Sequence, residues 1–235
     1  MGKFIINGQN LLHGEVKVSG AKNAALPILT ASLLADSPSV LLDIPNLRDV
    51  SNICTIIRKM GATVNEEGHR IDIDPRNINN PIADYEDARK LRASYYILGG
   101  LLAKHGFART SLPGGCNIGN RPIDLHLKGF KALGAEVKLD HGIVEVKADK
   151  LIGDRIYLDY PSVGATINIM LAATLAEGQT VIENAAREPE LVDLANYLTI
   201  MGAKIKGVGT DIIKIEGVKE LHGSEHRIIP DRIEA

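Results

Sequence analysis

The stretch between residues 112 and 124 combines residue types that could support chemistry. Its sequence is Leu-Pro-Gly-Gly-Cys-Asn-Ile-Gly-Asn-Arg-Pro-Ile-Asp, which places Cys116 five residues before Arg121. Glycine lets a backbone approach a ligand closely. A thiol near a guanidinium and a helix N-terminus ionises more easily than a free thiol, whose pKa is about 8.5. The stretch therefore predicts a reactive Cys116, and the alternative is an inert cysteine on a glycine-rich surface loop.

The end of this stretch has the signature of a helix start. Pro122 suits the first helical position because proline lacks the N–H that a helix start leaves unpaired. Asp124 then falls in the first turn, where a carboxylate interacts favourably with the helix dipole. We therefore expect Arg121 to lie at a helix N-terminus.

The composition excludes several classes of partner. The 235 residues include 45% hydrophobic residues, no Trp, two Cys and a net charge of −2. Nucleic-acid binding is not predicted, because the chain has neither a basic excess nor aromatic platforms. No apolar run reaches the roughly 18 residues of a membrane span, and the first residues lack a signal-peptide core. We expect a cytoplasmic α/β protein with no membrane partner.

Metal and cofactor signatures are also missing from the sequence. The seven His residues are scattered, without the spacing of a metal motif. Neither a dinucleotide-binding glycine motif nor a phosphate-binding P-loop motif is present. We therefore predict neither a metal nor a cofactor.

The chain contains three similar units of about 70 residues. Each unit has an apolar stretch, a strand, an amphipathic stretch ending at a Gly-Ala pair, and two alternating runs split by a turn. The glycine predicts a helix C-terminus, and the two runs predict a hairpin. The apolar stretches are residues 24–35, 93–103 and 165–176, and the segments around the Gly-Ala pairs are residues 59–64, 132–137 and 200–205.

The two helices of each unit differ in character. The helices before the Gly-Ala pairs have one apolar stripe each, and Cys54 belongs to such a stripe, so we interpret it as a core residue. The other three helices are apolar on nearly all sides, which predicts that they are buried at the centre with the sheets around them.

Alignment of the units brings four cations to equivalent places at predicted helix starts. Lys22 and Arg92 match residue 164 of the third unit, and Arg48 and Arg121 match each other. A cation there opposes the helix dipole, and a bound anion between the cation and the helix end would offset that cost. The pattern favours anion binding over four solvated surface charges. The middle unit is also longer than the others, and its insertion is the Cys116 loop.

These residues closely resemble those of the UDP-N-acetylglucosamine enolpyruvyl transferases, which perform the first committed step of peptidoglycan synthesis. The resemblance covers the whole chain. It implies an inside-out α/β barrel of three helix-strand-helix-hairpin repeats with buried central helices. The matching segments are Gly-Ala-Lys-Asn-Ala-Ala-Leu-Pro at 20–27, Leu-Pro-Gly-Gly-Cys at 112–116, Ile-Gly-Asn-Arg-Pro-Ile-Asp-Leu-His at 118–126, Ser-Val-Gly-Ala-Thr at 162–166 and Pro-Asp-Arg-Ile-Glu at 230–234.

The resemblance implies roles for individual residues. Cys116 would be the general acid toward phosphoenolpyruvate, able to form an adduct with it and to react with the antibiotic fosfomycin. Arg48 would be a further cation of the cleft, and Tyr160 departs from relatives that carry a basic residue there. Phosphoenolpyruvate would be bound by Lys22, Asn23 and Arg121. UDP-N-acetylglucosamine would be bound by Arg92, Arg121, Pro122, Ile123, Asp124, Leu125, Ser162, Val163 and Gly164.

The resemblance also implies that a second domain is mostly absent from this sequence. Residues 21–220 would form the three-repeat domain, while residues 1–20 and 221–235 would be strands that cross to the second domain. The family takes its general base, an aspartate, and a second phosphoenolpyruvate-binding arginine from that domain. We therefore expect the chain to fold without turning over on its own.

Three other functions remain open at this level. The chain could be a non-catalytic domain that binds a UDP-sugar or phosphate. It could belong to the sibling enzymes that act on shikimate phosphate, although those lack the Cys116 loop. Cys116 could also have a structural or redox-sensing role.

Overall fold

The computed structural model describes residues 3–9, 11, 13–88, 94–112 and 123–235. The three units predicted from the sequence are present in it, and each has the order helix, strand, helix, hairpin. The first unit consists of α1 (Lys22–Ala31, extended by a 3-10 turn, Ser32–Leu34), β1 (Ser39–Leu42), α2 (Arg48–Lys59), β2 (Thr63–Glu67) and β3 (Arg70–Asp74). The short helix α3 (Tyr85–Ala88) follows it.

The second and third units repeat this order. The second has α4 (Tyr96–His105), β4 (Phe107–Ser111), α5 (Asp124–Ala132), β5 (Glu136–Asp140) and β6 (Ile143–Lys147). A linking strand, β7 (Arg155–Tyr157), leads to the third, with α6 (Val163–Ala173), β8 (Gln179–Glu183), α7 (Pro189–Ile200), β9 (Lys204–Lys206) and β10 (Ile212–Glu216). The last strand is β11 (Glu225–Arg227).

The strands of the described residues form three separate sheets. Their orders are β11-β1-β3-β2, β4-β6-β5 and β7-β8-β10-β9. After the first unit, an isolated parallel bridge joins Ile82 to Arg109 in β4 of the second sheet. After the second unit, β7 pairs in parallel with β8 of the third sheet. Strand β11 pairs in parallel with β1 and so returns the chain to the first sheet. The described strands do not form one closed barrel, so the inside-out barrel stays a prediction.

The three apolar helices lie at the centre, as the sequence predicts. Residues 24–31 of α1, 97–102 of α4 and 165–173 of α6 are all buried. The predicted middle helix begins at residue 93, whereas α4 begins at Tyr96, and residues 89–93 are outside the described part of the chain. Helices α4 and α6 approach so closely at Gly99 that a Cβ there would lie 2.3 Å from the carbonyl oxygen of Asn168.

The glycines of the three Gly-Ala pairs follow the amphipathic helices at their C-terminal ends. Gly61, Gly134 and Gly202 have φ angles of 112°, 90° and 112°. A side chain is strained at such angles, which explains why the repeat keeps glycine there. The hairpin of the middle unit turns at His141 and Gly142, both with positive φ, which is typical of a tight two-residue turn.

The interpretation of Cys54 as a core residue is confirmed. Its side chain is fully buried in the stripe of α2 that also contains Val50 and Ile57. Burial raises the pKa of the Cys54 thiol to about 12, because the thiolate would lose its hydration.

Helix α7 is joined by buried polar contacts both to β11 and to the first unit. The His226 ring lies 2.9 Å from Asp193 of α7. The hydroxyl of Tyr197, also in α7, lies 2.9 Å from the hydroxyls of Ser32 and Ser39. In contrast, the described residues between 3 and 17 are exposed and form no strand. The division into residues 21–220 and two crossing segments remains a prediction.

Candidate functional site

Two adjoining clefts lie at the starts of helices α1, α2 and α6. The first, which we call the α1 cleft, has a volume of about 400 Å³ and is lined by Lys22, Asn23, Arg48, Asp49, Asp231 and Glu234, among others. The second, the α6 cleft, has about 410 Å³ and is lined by Asn23, Tyr95, His126, Tyr160, residues 162–164, Glu188, Glu190 and Arg232, among others. Asn23 borders both clefts.

Lys22 is the first residue of α1, as predicted, and its two nitrogens face carboxylates. Its ammonium group lies 3.4 Å from Asp49, and its backbone N–H donates to Asp231 over 3.4 Å. The Asp231 side chain also accepts from the N–H of Ile233 (2.8 Å) and of Glu234 (3.3 Å). Asp231 is buried. Its carboxylate therefore occupies the place at the start of α1 where the helix dipole favours a negative charge.

The start of α6 is capped as predicted. The Ser162 hydroxyl accepts the backbone N–H of Ala165 over 3.3 Å, which satisfies one of the free amides of the first turn. Val163 and Gly164 are partly exposed at the same helix end and line the α6 cleft. The N-terminus of α6 therefore presents the positive end of its dipole to the cleft.

His126 is a residue of the α6 cleft that the sequence reasoning did not identify. Its side chain is 4% exposed, and burial lowers its pKa to about 4, partly offset by the nearby Asp124. The imidazole is therefore neutral at physiological pH. The Asn168 side chain lies 2.9 Å from its Nδ1, and the Tyr95 ring packs edge-on at 4.9 Å. The only sequence signal was its position at the end of the matched segment 118–126.

A second group missed by the sequence reasoning joins α7 to the end of the chain. Arg232 donates to both oxygens of Glu190, over 2.9 and 3.3 Å. The Glu190 side chain is buried, so this two-contact pair is shielded from solvent on one side. One oxygen of Glu188, also in the α6 cleft, is buried without a hydrogen-bond partner among the described residues.

Some of the remaining predicted residues belong to the described part of the chain, and the others do not. Arg48 is the first residue of α2 and lines the α1 cleft. Asp124 is the exposed first residue of α5, between the buried Ile123 and Leu125. The other predicted residues, Arg92, Cys116, Arg121 and Pro122, lie outside the described residues. The structure therefore brings Lys22, Asn23, Ser162, Val163 and Gly164 to the two adjoining clefts.

The described residues that line the two clefts carry more carboxylates than cations. The carboxylates are those of Asp49, Asp231, Glu234, Glu188 and Glu190, and the cations are Lys22, Arg48 and Arg232. Lys22 and Arg232 are already paired. Anion binding at these helix starts therefore remains a prediction, to which Arg92 and Arg121 would have to contribute.

A larger opening, of about 550 Å³, lies at the other end of α4. Residues 102–107 and 147–151 line most of it, and it includes none of the predicted site residues. Two of its lysines are already paired, Lys104 with Asp36 (2.6 Å) and Lys150 with Glu177 (3.0 Å). Because none of the predicted site residues lines this opening, we place the candidate site at the helix starts, although the opening has the larger volume.

Within the described parts of the chain, none of the helices combines the length and the apolar character needed to cross a membrane.

Comparison with known sequences connects these clefts to a family. The model of the EPSP synthase (3-phosphoshikimate 1-carboxyvinyltransferase) family matches residues 6–235. A UDP-N-acetylglucosamine 1-carboxyvinyltransferase of Halothermothrix orenii is 79% identical over all 235 residues, which cover 57% of its own length. A UDP-N-acetylglucosamine 1-carboxyvinyltransferase 2 of Carboxydothermus hydrogenoformans is 56% identical over the same 235 residues, 56% of its length. The chain thus spans a little over half of these relatives.

Comparison with solved structures supports the same fold. The enolpyruvyl transferase NikO from Streptomyces tendae superimposes with a TM-score of 0.85 at 24% identity, covering 97% of this chain and 55% of that one. EPSP synthase from Acinetobacter baumannii superimposes with a TM-score of 0.74 at 19% identity, covering 92% and 50%. At such identities the likeness establishes an α/β enolpyruvyl transferase fold and no more.

Proposed function

Because the chain belongs to the EPSP synthase (3-phosphoshikimate 1-carboxyvinyltransferase) family, we propose that it forms part of a UDP-N-acetylglucosamine 1-carboxyvinyltransferase. Such an enzyme transfers the enolpyruvyl group of phosphoenolpyruvate to the 3-hydroxyl of UDP-N-acetylglucosamine. The observation that carries this proposal is the 79% identity, over every residue of the chain, to a relative of that name. The enzyme would contribute to peptidoglycan synthesis in the cytoplasm.

The α6 cleft is where we place the sugar nucleotide. The capped start of α6 offers its dipole and the backbone of residues 162–164 to a diphosphate. Asp124 and its neighbours at the start of α5, together with Arg92 and Arg121, would hold the uridine end. In this scheme Tyr160, which lines the cleft, stands where some relatives place a cation, so the diphosphate would depend more on the backbone of α6.

The α1 cleft is where we place phosphoenolpyruvate. Lys22 and Asn23 line it, and the resemblance adds Arg121. Lys22 would have to exchange its contact with Asp49 for one with the ligand. Because both side chains of this pair are about 40% exposed, the exchange costs little, on the order of 1 kcal/mol or less.

The residue types suit the reaction. A proton from the Cys116 thiol would add to the methylene carbon of phosphoenolpyruvate, which makes the neighbouring carbon electrophilic. The 3-hydroxyl of the sugar would add to that carbon and lose its own proton to a base. A base would then take a proton from the new methyl group while phosphate leaves with the electron pair of its C–O bond, which restores the double bond and completes the transfer.

Other parts of the proposal concern the architecture and the partners of the chain. We propose the inside-out barrel arrangement, the boundaries at residues 21–220, and the absence of nucleic-acid, membrane, metal and cofactor partners. The competing function is a non-catalytic domain that binds UDP-sugars. A role with shikimate phosphate has less support, because the EPSP synthase structure in the comparison shares only 19% of its residues with this chain.

Calorimetric titration tests this proposal. We expect UDP-N-acetylglucosamine to bind the chain and shikimate 3-phosphate not to bind. Arg121→Ala should weaken UDP-N-acetylglucosamine binding at least ~10-fold, since a hydrogen bond to a charged group contributes about 1.5–3 kcal/mol. The matched control is Lys219→Ala, which removes an exposed cation that is not among the lining residues of either cleft and should change the affinity by less than ~2-fold. Binding of shikimate 3-phosphate alone, or equal losses in the two variants, would contradict the proposal.

A further inference from the structure

Asn168 connects three helices that border the α6 cleft. It belongs to α6 and is completely buried. Its side-chain oxygen accepts the backbone N–H of Gly99 in α4 over 2.9 Å. Its side-chain nitrogen lies 2.9 Å from Nδ1 of His126 in α5.

The donor and acceptor types in these contacts determine where the hydrogen atoms lie. A backbone N–H can only donate, so the oxygen of the Asn168 amide must face Gly99. The NH₂ group of Asn168 must then face His126, and it also can only donate. His126 Nδ1 is therefore the acceptor and carries no proton. A neutral ring of this kind holds its proton on Nε2.

The other edge of the His126 ring faces the start of α6. A Cβ at position 164 would lie 3.1 Å from Nε2. Only glycine leaves this side of the ring uncovered, next to the helix start where we place a diphosphate. We propose that Asn168 is a positioning residue that holds His126 in the Nε2–H form, so that this N–H donates to an oxygen of the ligand in the α6 cleft.

The surroundings of His126 agree with a ring that stays neutral. Burial lowers its pKa to about 4. Asp124, on its own helix, acts in the opposite direction, and its effect on this pKa is smaller than that of burial. The charged or titratable groups that face the ring or share its cleft are Tyr95 and Tyr96 at the start of α4, Tyr160, Glu188, Glu190 of α7 and Arg232. Glu190 is paired with Arg232, which limits its attraction for a proton on the ring.

The protonation of His126 can be measured on the chain without any ligand. Long-range ¹H–¹⁵N spectra of the labelled chain distinguish the two neutral forms of each His ring. We expect His126 to carry its proton on Nε2 alone, unchanged between pH 5.5 and pH 8. The signals are assigned by their loss in His126→Gln, or by their proximity to Tyr95. A proton on Nδ1, a mixture of forms, or titration of the ring above pH 5.5 would overturn the inference.

Asn168→Asp reverses the proposed contact with almost no change in shape. One carboxylate oxygen would still accept a hydrogen bond from the N–H of Gly99, while the other would now accept a hydrogen bond from Nδ1–H of His126. We expect the ring to become protonated on Nδ1 and to titrate at a higher pH. Asn65→Asp adds the same charge at an exposed position of β2 and should leave the spectrum unchanged. An unaltered ring in Asn168→Asp would overturn the inference, and if that variant does not fold, the wild-type spectrum decides alone.

The ligand part of the inference rests on the proposed function and has its own readout. His126→Phe should weaken UDP-N-acetylglucosamine binding ~10-fold or more, because it removes a donor to a charged group. His126→Gln, whose amide keeps an N–H near the position of Nε2, should recover part of the loss. Equal affinity of the Phe variant and the wild type would overturn the donor role. If the wild type binds no UDP-N-acetylglucosamine, the proposed function fails, while the tautomer result stands.

Discussion

The 235-residue chain, mixed with phosphoenolpyruvate and UDP-N-acetylglucosamine, should release no phosphate above background. The chain spans 57% of the relative that is 79% identical to it. In the family that it resembles, the general base and a second arginine for phosphoenolpyruvate come from the part it does not span. Loss of a general base alone costs about 10²–10⁴ in rate, and loss of domain closure removes water exclusion and positioning as well.

A full-length relative under the same conditions is the positive control for this assay. The isolated chain must also be shown to be folded, for example by a cooperative thermal transition. Phosphate release within about tenfold of the full-length rate would mean that residues 1–235 hold a complete active site. The assignment of the base to the remaining part would then be wrong.

Alkylation of Cys116 should be about 10³ times faster than alkylation of Cys54. At pH 8 a thiol with an ordinary pKa of about 8.5 is roughly one quarter ionised. Cys54, with its pKa raised to about 12, would be ionised in only about one molecule in 10⁴. Cys54 is also fully buried, so a reagent reaches it only when the structure opens. We therefore expect iodoacetamide and fosfomycin to modify Cys116 and to leave Cys54 intact.

Peptide mass mapping at successive times measures both rates in one sample. The matched control is the same chain in denaturant, where iodoacetamide should label both cysteines at similar rates. Equal labelling in the folded chain would contradict the buried environment of Cys54. Labelling of Cys54 alone would contradict the reactive Cys116 predicted from its loop.

Much of the fold could be predicted from the sequence because its signals are local. The glycines at 61, 134 and 202 mark helix ends through their own backbone angles. The three apolar helices are evident from composition alone, since a helix without a polar face has to be buried. The place of Cys54 in the core followed from the 3.6-residue period of α2. None of these inferences needed knowledge of distant contacts.

The features that the sequence did not reveal are contacts between residues that lie far apart in the chain. Strand β11 returns to β1 across about 185 residues, and no period in the sequence indicates its partner. Asp231 meets the start of α1 across 209 residues, so the alignment of the units could not indicate that a carboxylate of this chain lies beside the predicted anion site. The contact of Asn168 with His126 likewise depends on how α5 packs against α6.

A two-dimensional amide spectrum of the labelled chain, recorded during titration with UDP-N-acetylglucosamine, would show which residues contact the sugar nucleotide. We expect the largest shifts on amides at the helix starts around the two clefts, including Asn23, Asp124 and Gly164. Amides at the opposite end, such as Gly106 and Glu177, should move little. Shifts confined to that opposite end, around residues 102–107 and 147–151, or no shifts at millimolar ligand, would contradict the claim that these helix starts form a sugar-nucleotide site.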